Sequence, residues 1–415
     1  PAMWWDDVFL RRVNGRLYLG RVPAVELAQR FGTPLFVYSR PRILANYERL
    51  RRIFGDASRL ETRIYYAMKA NPNAGILRLL RRRGAWLDAV SPGEVEAARR
   101  AGFAARRILF TGTSTGAEDI RRVFALEGIT FNIDAMEQLE LMREVRRAGC
   151  PRRRIRVSVR CNPGIGGGFN PKVITAGARS SDGTPIKFGI EGAKVPSVFA
   201  RALEYGFEPV GLHQHLGSGW TRGDFPVVCE AVNRLTRLAA RLEHEGFSLD
   251  FLDFGGGFGR RYHPSQDPFP VEKYAAHVGR AVANAGVSVR SIAVEPGKYL
   301  VADAGVLLLR VEYVKESFGQ RFVCVNSGTF NSLPRPAVYA QARHEVLNCE
   351  RLRSRRLVRV TVAGNLCETG DVFGKDIPLP EPARGDILAV LHAGAYARSM
   401  ASNFNLREIP GEVLI

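Results

Sequence analysis

From residue 64 onward, short apolar runs alternate with stretches whose apolar positions recur at helical spacing. The runs fall at 64–68, 86–90, 108–111, 130–133, 155–161, 209–215, 251–254 and 292–295. Short segments that are apolar almost throughout suit strands buried on both faces, as in a parallel sheet. Between them, residues 92–101 start behind Ser91, a good N-cap, with Glu94 in the first turn. Residues 135–148 and 225–245 also carry apolar side chains at helical spacing, and a helix over 41–54 leads into the series. Eight strands with helices between them predict a parallel (β/α)8 barrel.

After Pro296 the rhythm changes. Residues 306–314, 321–325, 357–362 and 387–391 are β-rich, with few helical stretches between them. They predict a separate, mostly antiparallel β domain. The expected fold class is therefore α/β plus β, with the barrel over residues 39–298 and the β domain over 299–415. Residues 1–38 are expected to pack with the β domain, although the runs at 17–19 and 35–37 could belong to either part. A chain of 415 residues is long enough for two cores, and it shows no repeat, low-complexity tract or long linker.

Composition removes several function classes. No run approaches the roughly 18 apolar residues that a membrane helix needs. Residues 1–12 are aromatic and charged rather than basic-then-apolar, so a cytoplasmic location is expected. The net charge is +19, and 52 of the 60 basic residues are arginine. They are scattered: Arg81-Arg82-Arg83, Arg152-Arg153-Arg154, and Arg353 with Arg355-Arg356 lie in separate polar segments without interleaved aromatic residues. That pattern reads as a solvated surface and not as a specific nucleic-acid groove. Six cysteines without a CxxC pair or a His/Cys cluster argue against structural zinc and a disulfide framework. Cys150, Cys161, Cys229, Cys324 and Cys349 read as small buried hydrophobes, and no metal site is expected.

The polar signals sit at the carboxyl ends of the expected strands, where a barrel keeps its chemistry. Lys69 closes the first strand in Tyr66-Ala67-Met68-Lys69-Ala70-Asn71, before Pro72 and Asn73 stop it. An amine held there can be desolvated and form a Schiff base with a carbonyl cofactor, whereas a lone strand-end lysine usually just reaches for solvent. Asp88 and Ser91 end the second strand, and His215 opens His215-Leu216-Gly217-Ser218-Gly219 after the sixth. Gly255-Gly256-Gly257 follows the seventh strand, and Glu295 begins Glu295-Pro296-Gly297-Lys298 after the eighth. Each taken singly has a plain structural reading, a tight turn or a satisfied core histidine. Their shared placement points to one ligand. Glycine backbone and Ser218 suit a phosphate, the imidazole can lie against an aromatic ring, and the carboxylate can keep a pyridine nitrogen protonated. With the amine of Lys69, the implied cofactor is pyridoxal 5′-phosphate.

At this point the chain resembles the fold-type III pyridoxal-phosphate decarboxylases, which have an alanine-racemase-like barrel, and among them the diaminopimelate decarboxylase family. The matching segments run from Tyr66-Ala67-Met68-Lys69-Ala70-Asn71 to residues 394–405, nearly the whole chain. The resemblance implies that Lys69 carries the cofactor, His215 stacks on its ring and Glu295 pairs with its nitrogen. It adds Asp88 to the cofactor site, and gives the phosphate to Ser218, Gly255, Gly256, Gly257, the Gly297–Lys298 turn and Tyr396. Arg335 and Tyr339 match the contacts to the substrate carboxylate, with Lys298 and Tyr396 beside them. Cys367-Glu368-Thr369-Gly370-Asp371 matches a motif in which Cys367 protonates the product and Glu368 meets the distal ammonium. Without the resemblance, Cys367 reads as a buried thiol and Arg335 as a surface ion pair. In family members these motifs reach the neighbouring subunit's cofactor, so a homodimer with shared active sites is implied.

The activity implied is decarboxylation of meso-2,6-diaminopimelate to L-lysine and carbon dioxide, the last step of lysine biosynthesis. The alternative is a related decarboxylase acting on another diamino acid, a polyamine precursor or a secondary-metabolite intermediate. It is motivated by Lys298, which stands where the family has arginine, and by Gly167, Phe169 and Asn170 in a loop where relatives carry histidines. That loop, 162–172, could mimic a phosphate cradle but reads better as a mobile active-site loop. Phe404 stands where tyrosine is common. A barrel racemase fits less well, because the Cys367–Asp371 segment belongs to the decarboxylase pattern. A silent cofactor- or polyanion-binding protein would not need the full set of Lys69, His215, Glu295 and Cys367.

Overall fold

A computed structural model describes residues 3–149 and 154–415; Cys150, Arg152 and Arg153 lie outside the described residues. The chain divides into two compact units. One comprises Tyr47–Gly259 with Asp267–Gly297, the other Pro1–Asn46 with Arg260–Gln266 and Lys298–Ile415.

The first unit is a closed parallel barrel. Its strands are Glu61–Ala67, Trp86–Ala89, Ile108–Phe110, Thr130–Ile133, Arg156–Asn162, Glu208–His213, Phe251–Asp253 and Ser291–Val294. Each pairs in parallel with the next, and Ser291–Val294 closes the ring on Glu61–Ala67. All of the expected strands are present, because apolar runs buried on both faces are legible without knowledge of their partners. Tyr65, Leu109, Val210, Phe251 and Ala293 pack together in the barrel core. The expected helices appear as Arg40–Ala57, Pro92–Arg100, Met136–Gly149 and Phe225–His244. Ser91 caps the second of these by accepting the Glu94 N–H at 3.2 Å, and Glu94 in return accepts the Val90 N–H at 2.8 Å.

One local expectation is corrected. The first strand stops at Ala67, and Met68–Ala70 forms a 3₁₀ turn, so Lys69 rides on a turn and not on the strand itself. The Asn71 side chain accepts the Asn73 N–H, and Asn73 caps the helix Ala74–Arg82 through the Gly75 and Ile76 amides. Two asparagine side chains thereby fix the path of the chain on the far side of Lys69.

The second unit is built on one sheet, in the order Val346–Asn348, Ile387–Val390, Gly305–Ser317, Gln320–Val325, Leu357–Ala363 and Val372–Pro380. Its pairs are antiparallel except that Gln320–Val325 runs parallel to Leu357–Ala363. Leu35–Tyr38 joins it antiparallel to Gly305–Ser317 and pairs on its other side with Gly411–Leu414, a second parallel pair. Arg16–Leu19 belongs to a small sheet with Leu10–Val13 and Val22–Pro23. Leu17, Leu19, Leu27, Leu35, Val306 and Leu308 share one core, so both opening strands fall in this unit.

Among the described cysteines, Cys161, Cys229 and Cys349 are buried, as expected. Cys324 is only half-buried, because it lies on a strand whose alternate residues face solvent. Cys367 is exposed, and all five described thiols are free. No helix among the described residues is long and apolar enough to cross a membrane.

Candidate active site

Lys69 and Glu295 leave neighbouring strands of the barrel, and the chain brings their turns together. The Ala67 amide donates to the Pro296 carbonyl at 3.3 Å. A Cβ on Gly297 would stand 3.0 Å from both the Ala67 oxygen and the Ala70 side chain, closer than ordinary packing allows. The Lys69 ammonium, one-third exposed, is ion-paired with the wholly buried Asp88. Burial raises the Asp88 carboxyl and the Lys69 charge opposes that rise.

Glu295 is 3 % exposed, with Oε2 3.2 Å from His213 Nε2 and 3.8 Å from His215 Nδ1. Burial alone would raise its carboxyl, but His213, Lys69 and His215 outweigh burial and hold it down at about 2. It is a carboxylate at neutral pH. Its other oxygen, Oε1, is buried with no hydrogen-bond partner among the described residues. His215 is the opposite case: burial pushes the imidazole down to about 3, so it is neutral. The Gly256 N–H donates to its Nδ1 at 3.2 Å, which leaves the ring proton on Nε2.

The glycine run needs a correction in its physical reading. Phosphate approach is the expected use of all three amides, yet two are engaged within the chain. Gly255 donates to Asp253 Oδ1 at 2.8 Å, and Gly256 to His215. A Cβ on Gly255 would lie 2.4 Å from the Gln214 oxygen, and one on Gly256 2.1 Å from the Glu295 oxygen. The run is glycine first because the turn closes tightly over two adjacent strand ends. The loop 162–172, expected to be mobile, is fastened to the segment carrying Ser218. Gly167 donates to the Leu216 carbonyl and Phe169 to that of Ser218, at 3.2 and 3.1 Å. The Trp220 indole adds a bond to the Gly167 carbonyl at 3.1 Å.

Sequence reasoning missed three members of this cluster. His213 and Asp253, both fully buried, end paired strands and stand opposite each other in register. Ligand atoms of His213, Asp253 and Glu295 lie within 4.8 Å of one another. Burial pushes the Asp253 carboxyl well up, and Glu295 adds to the rise. Arg160, 6 % exposed, lies 3.8 Å from Asp134, and burial lowers its guanidinium against the pull of Asp134 and Glu295. The only signal for His213 in the sequence is its spacing: in His213-Gln214-His215 it lies two residues before the histidine that opens the loop.

The remaining candidates lie in the second unit. Lys298 and Arg335 are buried, at 6 % and 3 % exposed. Arg335 donates to the Tyr262 hydroxyl at 2.9 Å and lies 4.6 Å from the centre of that ring. His344 and His392 meet the same ring edge-on, at 5.1 and 5.7 Å. Lys298 Nζ is 5.8 Å from the ring centre of Tyr396, a residue held at φ 53°. Burial, with the charge of Arg335, pushes the Lys298 amine well below the usual lysine range. Tyr339 is half-buried and closes the turn Arg335–Val338 by donating its N–H to the Arg335 carbonyl. Cys367 and Glu368 are exposed. Their loop is anchored from beneath by buried Asp371, which accepts from the Thr329 N–H, the Thr329 hydroxyl and the Leu366 N–H at 2.6–2.8 Å. The Cys367 N–H donates to Asn405 at 3.0 Å. Neither exposed side chain is thus brought to the buried cations by such a bond.

Comparison with known proteins places this geometry. The family model for the pyridoxal-binding domain of pyridoxal-dependent decarboxylases matches residues 41–302. Diaminopimelate decarboxylase from Methanothermobacter thermautotrophicus is 40 % identical over 409 residues, covering 97 % of this chain and 91 % of that protein. The chain belongs to the diaminopimelate decarboxylase family. The enzyme of that name from Pseudomonas aeruginosa is 36 % identical over 99 % of this chain and 94 % of its own length. Among solved structures, diaminopimelate decarboxylase from M. jannaschii in complex with L-lysine superposes with a TM-score of 0.86 at 31 % identity, covering 100 % of this chain and 94 % of that one. The Helicobacter pylori enzyme, also complexed with L-lysine, gives 0.85 at 30 %, covering 94 % and 93 %.

This is a pyridoxal-phosphate enzyme of the fold-type III decarboxylase class, and its residues fit that cofactor. The barrel offers a partly exposed amine, a neutral imidazole and a carboxylate oxygen that is buried without a partner. An atom like Glu295 Oε1 costs about 1–3 kcal/mol or more if nothing meets it. A protonated ring nitrogen is the donor it lacks.

Proposed function

We propose that this protein decarboxylates meso-2,6-diaminopimelate to L-lysine and carbon dioxide, as the last step of lysine biosynthesis in the cytoplasm. The observation that carries the reading is Glu295, an ionised buried carboxylate with one oxygen unmatched, in a chain 40 % identical to a diaminopimelate decarboxylase over 97 % of its length. Lys69 would hold the cofactor's aldehyde carbon, with Asp88 keeping the amine oriented. His215 would lie against the ring face. Ser218, Gly257 of the glycine turn, Gly297, Lys298 and Tyr396 would receive the phosphate. When bound, pyridoxal phosphate supplies the electron sink that lets the α-carbon part from its carboxylate.

The chain's own groups do the rest. Arg335 and Tyr339 hold a substrate carboxylate, and Glu368 takes the distal ammonium. The bond from the α-carbon to the carboxylate breaks, carbon dioxide leaves, and the electron pair stays with the carbon. Cys367 then gives its thiol proton to that carbon and is reprotonated from water. Glu295 stays ionised throughout, so the ring nitrogen keeps its proton. Because Cys367 and Glu368 stand exposed in one chain, we assign them to the neighbouring subunit's site in a homodimer.

Lys298 favours the second reading, a decarboxylase for another diamino acid, because a buried lysine cannot offer the planar fork of an arginine. Carbon dioxide release by the cofactor-loaded protein given meso-diaminopimelate, lysine, ornithine or arginine separates the two. Release with diaminopimelate alone, yielding lysine, supports the first. Release with another substrate alone refutes it. Mixing Lys69→Ala and Cys367→Ala protein should regain activity if the sites are shared, and a mixture that stays inactive counts against sharing.

A further inference from the structure

The two oxygens of Glu295 are in different circumstances. Oε1 is buried and unmatched, whereas Oε2 has two imidazoles near it. Of these, His215 cannot be the donor: its Nδ1 lies 3.8 Å away and already accepts the Gly256 N–H. His213 Nε2, at 3.2 Å, is the hydrogen-bonding partner of Glu295 among the described residues. The sheet register puts it there. His213 ends its strand opposite Asp253, Asp253 pairs with Ala293, and Glu295 follows two residues later. The Glu295 amide donates to the Gly255 carbonyl at 2.8 Å, so the backbone beneath the carboxylate is fixed as well. With the backbone held and Oε2 bonded, the direction of Oε1 is decided.

We propose that His213 is the positioning residue of this site: its Nε2–H donates to Glu295 Oε2 and thereby aims Oε1 at the cofactor's ring nitrogen. The inference rests on reading Glu295 as the partner of that nitrogen. It makes the His213–Asp253–Glu295 cluster a device for holding one carboxylate, not a cation site, although the donor types would suit a metal. The other titratable groups that act on the cluster are Lys69, Asp88, His215 and Arg160. Lys69 is ion-paired with Asp88, Arg160 lies 3.8 Å from Asp134, and His215 Nδ1 stands 3.8 Å from Oε2.

The test compares His213→Gln, His213→Asn, His213→Leu and Glu295→Gln in full-length protein, reconstituted with pyridoxal 5′-phosphate. The readouts are the cofactor's dissociation constant and its visible band followed over neutral pH. Glutamine places an amide N–H where Nε2 was; asparagine places one only where Nδ1 was. His213→Gln should stay close to the parent. His213→Asn and His213→Leu should bind cofactor about tenfold to a hundredfold more weakly, with the band displaced as in Glu295→Gln. Equal behaviour of the glutamine and asparagine variants would overturn the inference and is readable even if the leucine variant does not fold. Stoichiometric zinc in the purified holoenzyme would overturn it too. A Glu295→Gln protein with the parent's spectrum would instead sink the reading of Glu295.

Discussion

The two units bury charge in opposite ways. At the barrel's strand ends, side chains meet a specific polar partner: Lys69 an ion pair with Asp88, and His213 a hydrogen bond with Glu295. In the second unit, two cations are buried near each other and packed on aromatic faces, Arg335 on Tyr262 and Lys298 beside Tyr396. Cation–π contact contributes about 0.5–2 kcal/mol to holding a basic side chain on a ring. The difference fits the task proposed above for each set. A matched cluster can hold a resident ring, its ionisation fixed by neighbours that never leave. A cationic cluster gains most when an anion arrives, which suits carboxylates that come and go with each turnover.

The largest test of this contrast is Lys69→Ala. It should abolish the cofactor's absorbance band and cut carbon dioxide release by roughly 10⁴-fold, the scale of losing a covalent catalytic group. A retained band would break the matched-cluster account. Next, Glu295→Gln should lower kcat by about 10²–10³-fold, the cost of removing a preorganised charge from a reacting centre, with a smaller change in KM.

The second unit should respond in the other parameter. Arg335→Met should raise KM for diaminopimelate by about 30-fold or more, from the 2–5 kcal/mol typical of a buried charge partner. Tyr262→Phe keeps the ring under Arg335 and removes only the hydroxyl. It should raise KM about tenfold while leaving the cofactor band alone. A displaced band in Tyr262→Phe would mean that the two sets do not have the separate tasks given them here.

The smallest effect is in pH dependence, and it samples both units. His215 and His392 are pushed down to about 3 and about 4 by burial, from an ordinary 6.5. Between those values the unfolded chain binds protons that the folded chain does not. Stability is therefore full above about pH 6.5 and falls as the pH drops toward 4 and then 3. Burial also pushes His344 well down, so urea midpoints measured across that window should show a slope approaching three protons. His392→Asn should remove one of them and leave the barrel's share.

The order of the eight strands was determined by the sequence alone, and so was the placement of Lys69, His215 and Glu295 just after three of them. Apolar periodicity reports burial, and a parallel barrel buries every strand on both faces, so each element announced itself without its neighbours. Residues placed just after a strand reach the mouth of a barrel by topology, which is why Lys69, His215 and Glu295 could be picked from one dimension. What needed the folded chain was every choice between near neighbours. Lys69 lies on a 3₁₀ turn because two asparagines redirect the chain there. His213, not His215, bonds Glu295, because sheet register across 82 residues sets that distance. Two glycine amides serve Asp253 and His215. Tyr262 lies in the short stretch Arg260–Gln266, which leaves the barrel's chain to pack with the unit that holds Arg335. Periodicity tells which residues are buried; only tertiary contact decides what they are buried against.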